Sequence, residues 1–145
     1  MILALDPATH CGWASSVGAS GCWDLSVRRD ESSGMRLIRL RAKLREIHAA
    51  SPITMLFFEA ARHCGGAGAL VVQSELQGII KLFCEENGIQ YRGVSPSEIK
   101  KFATGKGNAG KPAMLKAAMA RGWTATNDNE VDALWLLTYA QERLT

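Results

Sequence analysis

Apolar positions in this chain come in two rhythms. Short unbroken runs alternate with longer stretches in which apolar residues recur every three or four positions. Met1 to Asp6 is a run of aliphatic residues that stops on an acid, which reads as a buried strand. Gly12 to Val17 and Gly21 to Val27 read as two further strands, rich in Trp, Val and Ser. Only Gly18 to Ser20 separates them, as in a short hairpin loop containing Gly. From Glu31 to Ala50 the rhythm changes: Leu37, Leu40, Leu44 and Ile47 recur at helical spacing with arginines between them, and Pro52 ends the region. Ile53 to Glu59 is again a strand-like run closed by a carboxylate.

The second half alternates in the same way. Arg62 to Gly68 predicts a flexible loop, Val71 to Asn87 a helix stopped by Gly88, and Ile89 to Val94 a short strand. Ser95-Pro96-Ser97-Glu98 opens a helix, with Ser95 or Ser97 as its cap. Thr104 to Pro112 is a polar, glycine-rich loop, and Pro112 suits the first turn of a helix that runs to about Arg121. The last helix begins near Asn127 and runs to the C-terminus. Asn127 with Glu130 three residues on matches a capping box in which Asn replaces Ser or Thr. The order β-β-β-α-β-α-β-α-α-α, without an internal repeat or linker, predicts an α/β fold. Three antiparallel leading strands and then parallel strands make one mixed five-stranded sheet flanked by helices, in a single domain spanning residues 1–145.

Composition narrows the class. The chain of 145 residues is 47% hydrophobic and 21% charged, an ordinary globular balance. Its longest apolar run, Ile53 to Phe58, is far short of the ~20 residues of a membrane span, and the opening run lacks the basic start of a signal peptide. A soluble cytoplasmic protein with no membrane partner is expected. Cys11, Cys22, Cys64 and Cys84 show no CxxC spacing and no histidine that would complete a zinc pattern, so free thiols are expected.

Net charge is only +3, so the distribution of charge carries more than its sum. Lys100, Lys101, Lys106 and Lys111 fall in a stretch without an acid. Arg36, Arg39, Arg41, Lys43 and Arg45 form a second basic group, which reads either as a solvated helix face or as a nucleic-acid flank. The Gly105–Lys111 segment lacks the GxxxxGK[ST] spacing of a P-loop, since Pro follows Lys111.

The acids carry the candidate chemistry. Taken alone, Asp6 before Pro7 reads as a turn residue and Glu59 as a surface residue at a strand edge. Yet both end apolar strands, where a carboxylate is costly unless it is paired or metal-bound. The closing segment Asn127 to Ala140 adds Asp128 and Asp132, four apart on one helix face, with Asn129 three before Asp132. The helix dipole accounts for Asp128 and Glu130 in the first turn, and less well for Asp132, a full turn inside. Oxygen ligands on two strands and one helix suit Mg²⁺ or Mn²⁺ rather than zinc, in sites that run phosphoryl transfer with two metals ~3.5–4 Å apart.

Four ordered segments carry a resemblance. "LALDPATHCGWA", "LFFEA", "SPSEIKKFATGKGNAGK" and "DNEVDALWLL" are similar, in sequence order, to the opening strand motif, second acidic strand, basic segment and closing acidic helix of the RuvC family. These are Holliday-junction resolvases within the RNase H-like nuclease superfamily. The resemblance implies an RNase H-like fold and a metal-dependent endonuclease that cuts four-way or branched DNA by paired nicks, giving 5′-phosphate and 3′-hydroxyl ends. It implies a role in DNA recombination and repair, and a homodimer. Carried over by position, Asp6, Glu59 and Asp132 would hold two Mg²⁺ or Mn²⁺ ions, with Asp128 or the amide of Asn129 as fourth ligand. Lys100 and Lys111 would approach the scissile phosphate or the DNA backbone, with Lys101, Lys106 and Arg62 as further DNA contacts. The catalytic set implied is thus Asp6, Glu59, Asp128, Asp132 and Lys111.

Two positions depart from the family pattern. Asn129 stands where the first acid of the closing pair is expected, and Arg62 stands where bacterial members typically carry an aromatic residue. The chain is in this respect more like phage or accessory members. Two other readings remain open: an RNA-processing nuclease of YqgF type, and a branched-DNA-binding protein of the same fold without activity.

Overall fold

A computed structural model describes residues 1–61, 66–125 and 127–145. Five strands form one sheet in the order β3-β2-β1-β4-β5: β1 (Ile2–Asp6), β2 (His10–Ser15), β3 (Ser20–Asp24), β4 (Met55–Glu59) and β5 (Gln90–Val94). The three leading strands pair antiparallel, and β1–β4 and β4–β5 pair parallel, so the expected mixed sheet is the observed one. The helices are α1 (Gly34–Ala50), α2 (Ala67–Asn87), α3 (Pro96–Thr104), α4 (Lys111–Ala120) and α5 (Asp128–Tyr139), with a π-helical turn at Ala140–Leu144.

Strand parity sorts the core into two layers. Leu3 and Leu5 of β1, with Leu56 and Phe58 of β4, pack against Leu40 and Leu44 of α1 and Leu76, Ile80 and Phe83 of α2. Ala4 and Phe57, on the other face, pack against α3, α4 and α5 through Ile99, Met114, Val131 and Trp135. Asp6 continues the row of Ala4, and Glu59 continues the row of Phe57. The period of two therefore aims both acids at α5. Small residues on that face, Ala4, Gly12 and Ala14, let α5 lie close against β1 and β2.

Several boundaries differ from the sequence reading for local reasons. β2 begins two residues early, at His10, because it pairs with Asp24 across the ladder, and β3 ends there instead of at Val27. The first helix starts at Gly34 rather than Glu31. The Glu31 carboxylate is taken by the Arg28 N–H and the Arg39 guanidinium, which hold it outside the helix. At α3, Ser95 occupies the cap position, but its hydroxyl lies 2.9 Å from the Ser97 hydroxyl and caps no helical N–H. α2 is long and apolar enough, by length and composition alone, to cross a membrane. Here it packs one face on the sheet, burying Leu76, Ile80, Phe83 and Cys84, and ends at Gly88 in the left-handed conformation (φ 65°). Cys11 and Cys84 are buried free thiols and Cys22 is half-buried, while Cys64 lies outside the described residues. Trp23 and Trp135 are core residues, stacked on or tilted against the half-buried Trp13 and Trp123.

Candidate metal centre

The parallel register that pairs Leu5 with Phe58 brings the next residues, Asp6 and Glu59, to the C-terminal ends of neighbouring central strands. α5 delivers Asp132 from the layer above. One carboxylate oxygen from each of Asp6, Glu59 and Asp132 lies within 4.8 Å of the other two. Each residue is only partly exposed, so the charges meet in a poorly solvated place.

Their protonation reflects this. Burial, then the neighbouring Glu59 charge, pushes the Asp6 carboxyl well above the usual carboxylate range. The Asp132 charge adds to this and Lys111 opposes it. Asp132 is pushed up to about 7 by burial, Glu59 and Asp128, against Lys111 and Lys100. Like charges so placed disfavour full ionisation unless a cation neutralises them. The donor set is all oxygen, which fits a hard divalent ion such as Mg²⁺ or Mn²⁺.

A cavity of about 290 Å³ opens beside Asp6 and Glu59 and is walled by Gln73, Ser97, Lys100 and Gly107. The basic segment thus contributes to the site through α3 and the loop after it. Gly105 closes α3 in the left-handed conformation (φ 86°), and Thr104 Oγ1 accepts the Lys106 N–H at 3.2 Å, folding the loop back toward the acids. Lys111, the first residue of α4, reaches to 3.7 Å from the Asp128 carboxylate.

The expected residues separate into groups. Asp6, Glu59, Asp132, Lys100 and Lys111 gather at the site, with Asp128 beside Asp132 and Lys111. Lys101 does not join them. It lines a groove with Glu98, Phe102 and Tyr139, because one residue turns a helix by about 100° and carries it away from Lys100. Lys106 is exposed on the loop. Arg62, expected to touch DNA, lies outside the described residues, as does His63. The arginines of α1 sit on the layer opposite the acids: Arg39 pairs with Glu31, and Arg41 and Arg45 line a cleft between α1 and α2.

The two candidates for a fourth ligand face different ways. Asp128 acts on Asp132, whereas the Asn129 side chain lies near the Cys22 thiol and borders a groove with Ala8, Thr9 and His10. The capping box is realised in one half only. Asn127 Oδ1 accepts the N–H groups of Asn129 and Glu130 at 2.9 and 3.1 Å. Glu130 does not reach back to the cap; it accepts a hydrogen bond from Ser20 Oγ at 2.7 Å. Ser20, Gln73 and Gly12 were not among the site residues expected from the sequence. Of these only Gly12 leaves a signal, as a glycine inside a strand.

The sequence matches no protein-family model and no curated protein. Solved structures do match. RuvC of T. thermophilus in complex with Holliday junction substrate superposes with a TM-score of 0.78 at 18% identity, covering 99% of this chain and 94% of that one. A Thermus thermophilus RuvC structure superposes with a TM-score of 0.69 at 17% identity, covering 97% and 95%. This chain has the RuvC fold. That is the RNase H-like arrangement that the sequence resemblance implied, and it extends over nearly the whole length of both proteins. In this RuvC-type fold the three acids hang from β1, β4 and α5 around a single point.

Proposed function

We propose that this protein is a metal-dependent, structure-selective endonuclease that resolves four-way or branched DNA junctions by paired nicks, leaving 5′-phosphate and 3′-hydroxyl ends. The observation that carries the reading is the meeting of Asp6, Glu59 and Asp132 within 4.8 Å at the C-terminal end of a RuvC-type sheet. The solved relative that superposes best of the two is bound to Holliday junction substrate, which supports the same ligand class here.

In this reading Asp6, Glu59 and Asp132 hold two Mg²⁺ or Mn²⁺ ions, with Asp128 as the fourth carboxylate. When bound, the ions supply Lewis-acid activation of the attacking water and neutralise charge at the leaving oxygen. The chain's own groups do the rest. Strand ends give Asp6 and Glu59 fixed orientations, so little reorganisation accompanies the reaction. Lys100 and Lys111 lie close enough to act electrostatically on the acids and place positive charge where a phosphodiester backbone would enter. Gly107 in the cavity wall lets backbone approach a phosphate closely.

A junction has two-fold symmetry, so paired nicks call for two sites and hence a homodimer. The outer face of α2 is the proposed interface: Val71 and Leu82, three turns apart on one line, are 54% and 51% exposed.

The deciding experiment incubates the protein with labelled four-way junction, fork and duplex DNA, and with structured RNA, in Mg²⁺ or Mn²⁺. Symmetric nicks confined to the junction are expected. Preferential cleavage of RNA would favour the YqgF-type alternative, and tight junction binding without cleavage would favour a binding protein.

A further inference from the structure

The first turn of α5 is fixed by β2 and β3, beside the acid cluster. Gly12 stands directly across the β1–β2 ladder from Asp6. A Cβ at Gly12 would lie 1.8 Å from the Asn129 carbonyl oxygen, so the space a side chain would occupy is filled by the helix backbone itself. From β3, Ser20 Oγ donates to the Glu130 carboxylate at 2.7 Å, a partly buried contact between residues 110 apart in sequence. Glu130 and Asp132 are two apart on the helix, about 200° around its axis. One therefore reaches outward to β3 while the other reaches inward to β1 and β4.

This arrangement answers a mechanical problem. Three carboxyl groups meet within 4.8 Å, two on strand ends tied together by the sheet and the third on α5, so the seat of the first turn of α5 decides where Asp132 stands. Gly12 lets α5 sit close, and the bond to Ser20 holds the rotation and height of its first turn.

We propose that Glu130, held by Ser20 and seated over Gly12, is the positioning residue of the acid cluster: it sets where Asp132 stands relative to Asp6 and Glu59 and so sets the affinity of the site for a divalent cation. The proposal rests on the metal reading of the cluster. Its test uses the full chain and Mn²⁺ alone, with no nucleic acid, so it stands apart from the choice of substrate.

Mn²⁺ binding is measured by calorimetry and by the electron paramagnetic resonance spectrum of the bound ion, beside thermal melts. Glu130→Ala and Ser20→Ala should each weaken binding by about 10-fold or more, the scale on which loss of a group supporting metal ligands acts. The double variant should bind no more weakly than either. Glu130→Gln and Ser20→Thr, which keep an acceptor and a donor in place, should restore binding. Asn127→Ala serves as the control, because it removes the cap of the same turn and leaves the Ser20 bond in place. Alanine variants that bind Mn²⁺ as tightly as wild type would overturn the proposal. So would an Asn127→Ala variant that loses as much affinity as Glu130→Ala at equal melting temperature. A wild-type chain that binds no Mn²⁺ would overturn the metal reading, and this proposal with it.

Discussion

Asp6 and Glu59 end adjacent parallel strands with carboxylate oxygens within 4.8 Å of each other, and Asp132 closes the same cluster from α5. In the protein without metal Asp132 and Asp6 hold protons that an unfolded chain would release. Asp132 moves from an ordinary 3.8 up to about 7, mainly through burial, and Asp6 moves in the same direction. A raised carboxyl contributes stability that is complete below about pH 3.8 and is lost as pH rises through about 7. In EDTA the melting temperature should therefore fall between pH 5 and pH 8. Asp132→Asn, which carries no charge to desolvate, should flatten that fall and melt above wild type at pH 8. Mn²⁺ should raise the wild-type melting temperature at pH 8 and leave the variant's nearly unchanged. A wild-type melting temperature that climbs across this range would contradict the account.

Asp6→Asn tests the proposed chemistry at one of the two acids carried by strand ends. The amide keeps the shape of the side chain and removes a charge, so the β1 end and the neighbouring lysines stay in place. Cleavage of a four-way junction should drop by about 10²- to 10³-fold or more, the scale of losing a preorganised electrostatic group. Junction affinity should hold or improve, because one negative charge near the backbone is gone. Normal cleavage by this variant in Mg²⁺ would refute the assignment of Asp6.

Which parts of the site could be read from the chain follows from how local each signal is. Asp6 and Glu59 were legible because each ends an apolar run, and the strand period of two decides which face each takes. Asp132 was legible because it sits one turn inside an apolar helix, where the helix dipole does not account for it. The Ser20–Glu130 bond was not, since it joins β3 to α5 and the local pattern assigned Glu130 to a capping box. Lys101 was grouped with Lys100 because they adjoin in sequence, and a helix turns neighbours onto different faces. The late start of α1 was hidden too, because Glu31 is withdrawn by Arg39, which stands eight residues away.

Lys100 and Lys111 stand beside the acids, and Lys101 does not. Each phosphate neutralised by a lysine contributes roughly −0.9 to the slope of log affinity against log salt on duplex arms. Lys111→Ala should therefore make the slope for junction binding shallower by about 0.9, and pairing it with Lys100→Ala by about 1.8. Lys101→Ala should leave the slope unchanged, because its groove already holds Glu98 and Glu142. Salt titrations of fluorescence anisotropy on a labelled junction measure all three. Equal effects from Lys100 and Lys101 would place the DNA across α3 differently.

The outer face of α2 supplies the last test. Val71 and Leu82 are 54% and 51% exposed on one line of the helix, with the exposed Ser74, Glu75 and Gly78 between them. The absence of a Cβ at Gly78 permits a second helix to approach closely, and nothing lies within 4 Å of that position. Replacing both Val71 and Leu82 with Glu puts like charges opposite each other in a two-fold interface while leaving the buried face of α2 intact. The variant should sediment as a monomer with a stability within about 0.5 kcal/mol of wild type at each substituted surface position. On a cruciform plasmid, wild type should linearise the circle by two nicks in one encounter, whereas the monomeric variant should accumulate singly nicked circles. If wild type itself sediments as a monomer at micromolar concentration and still makes paired nicks, the dimer through α2 is wrong.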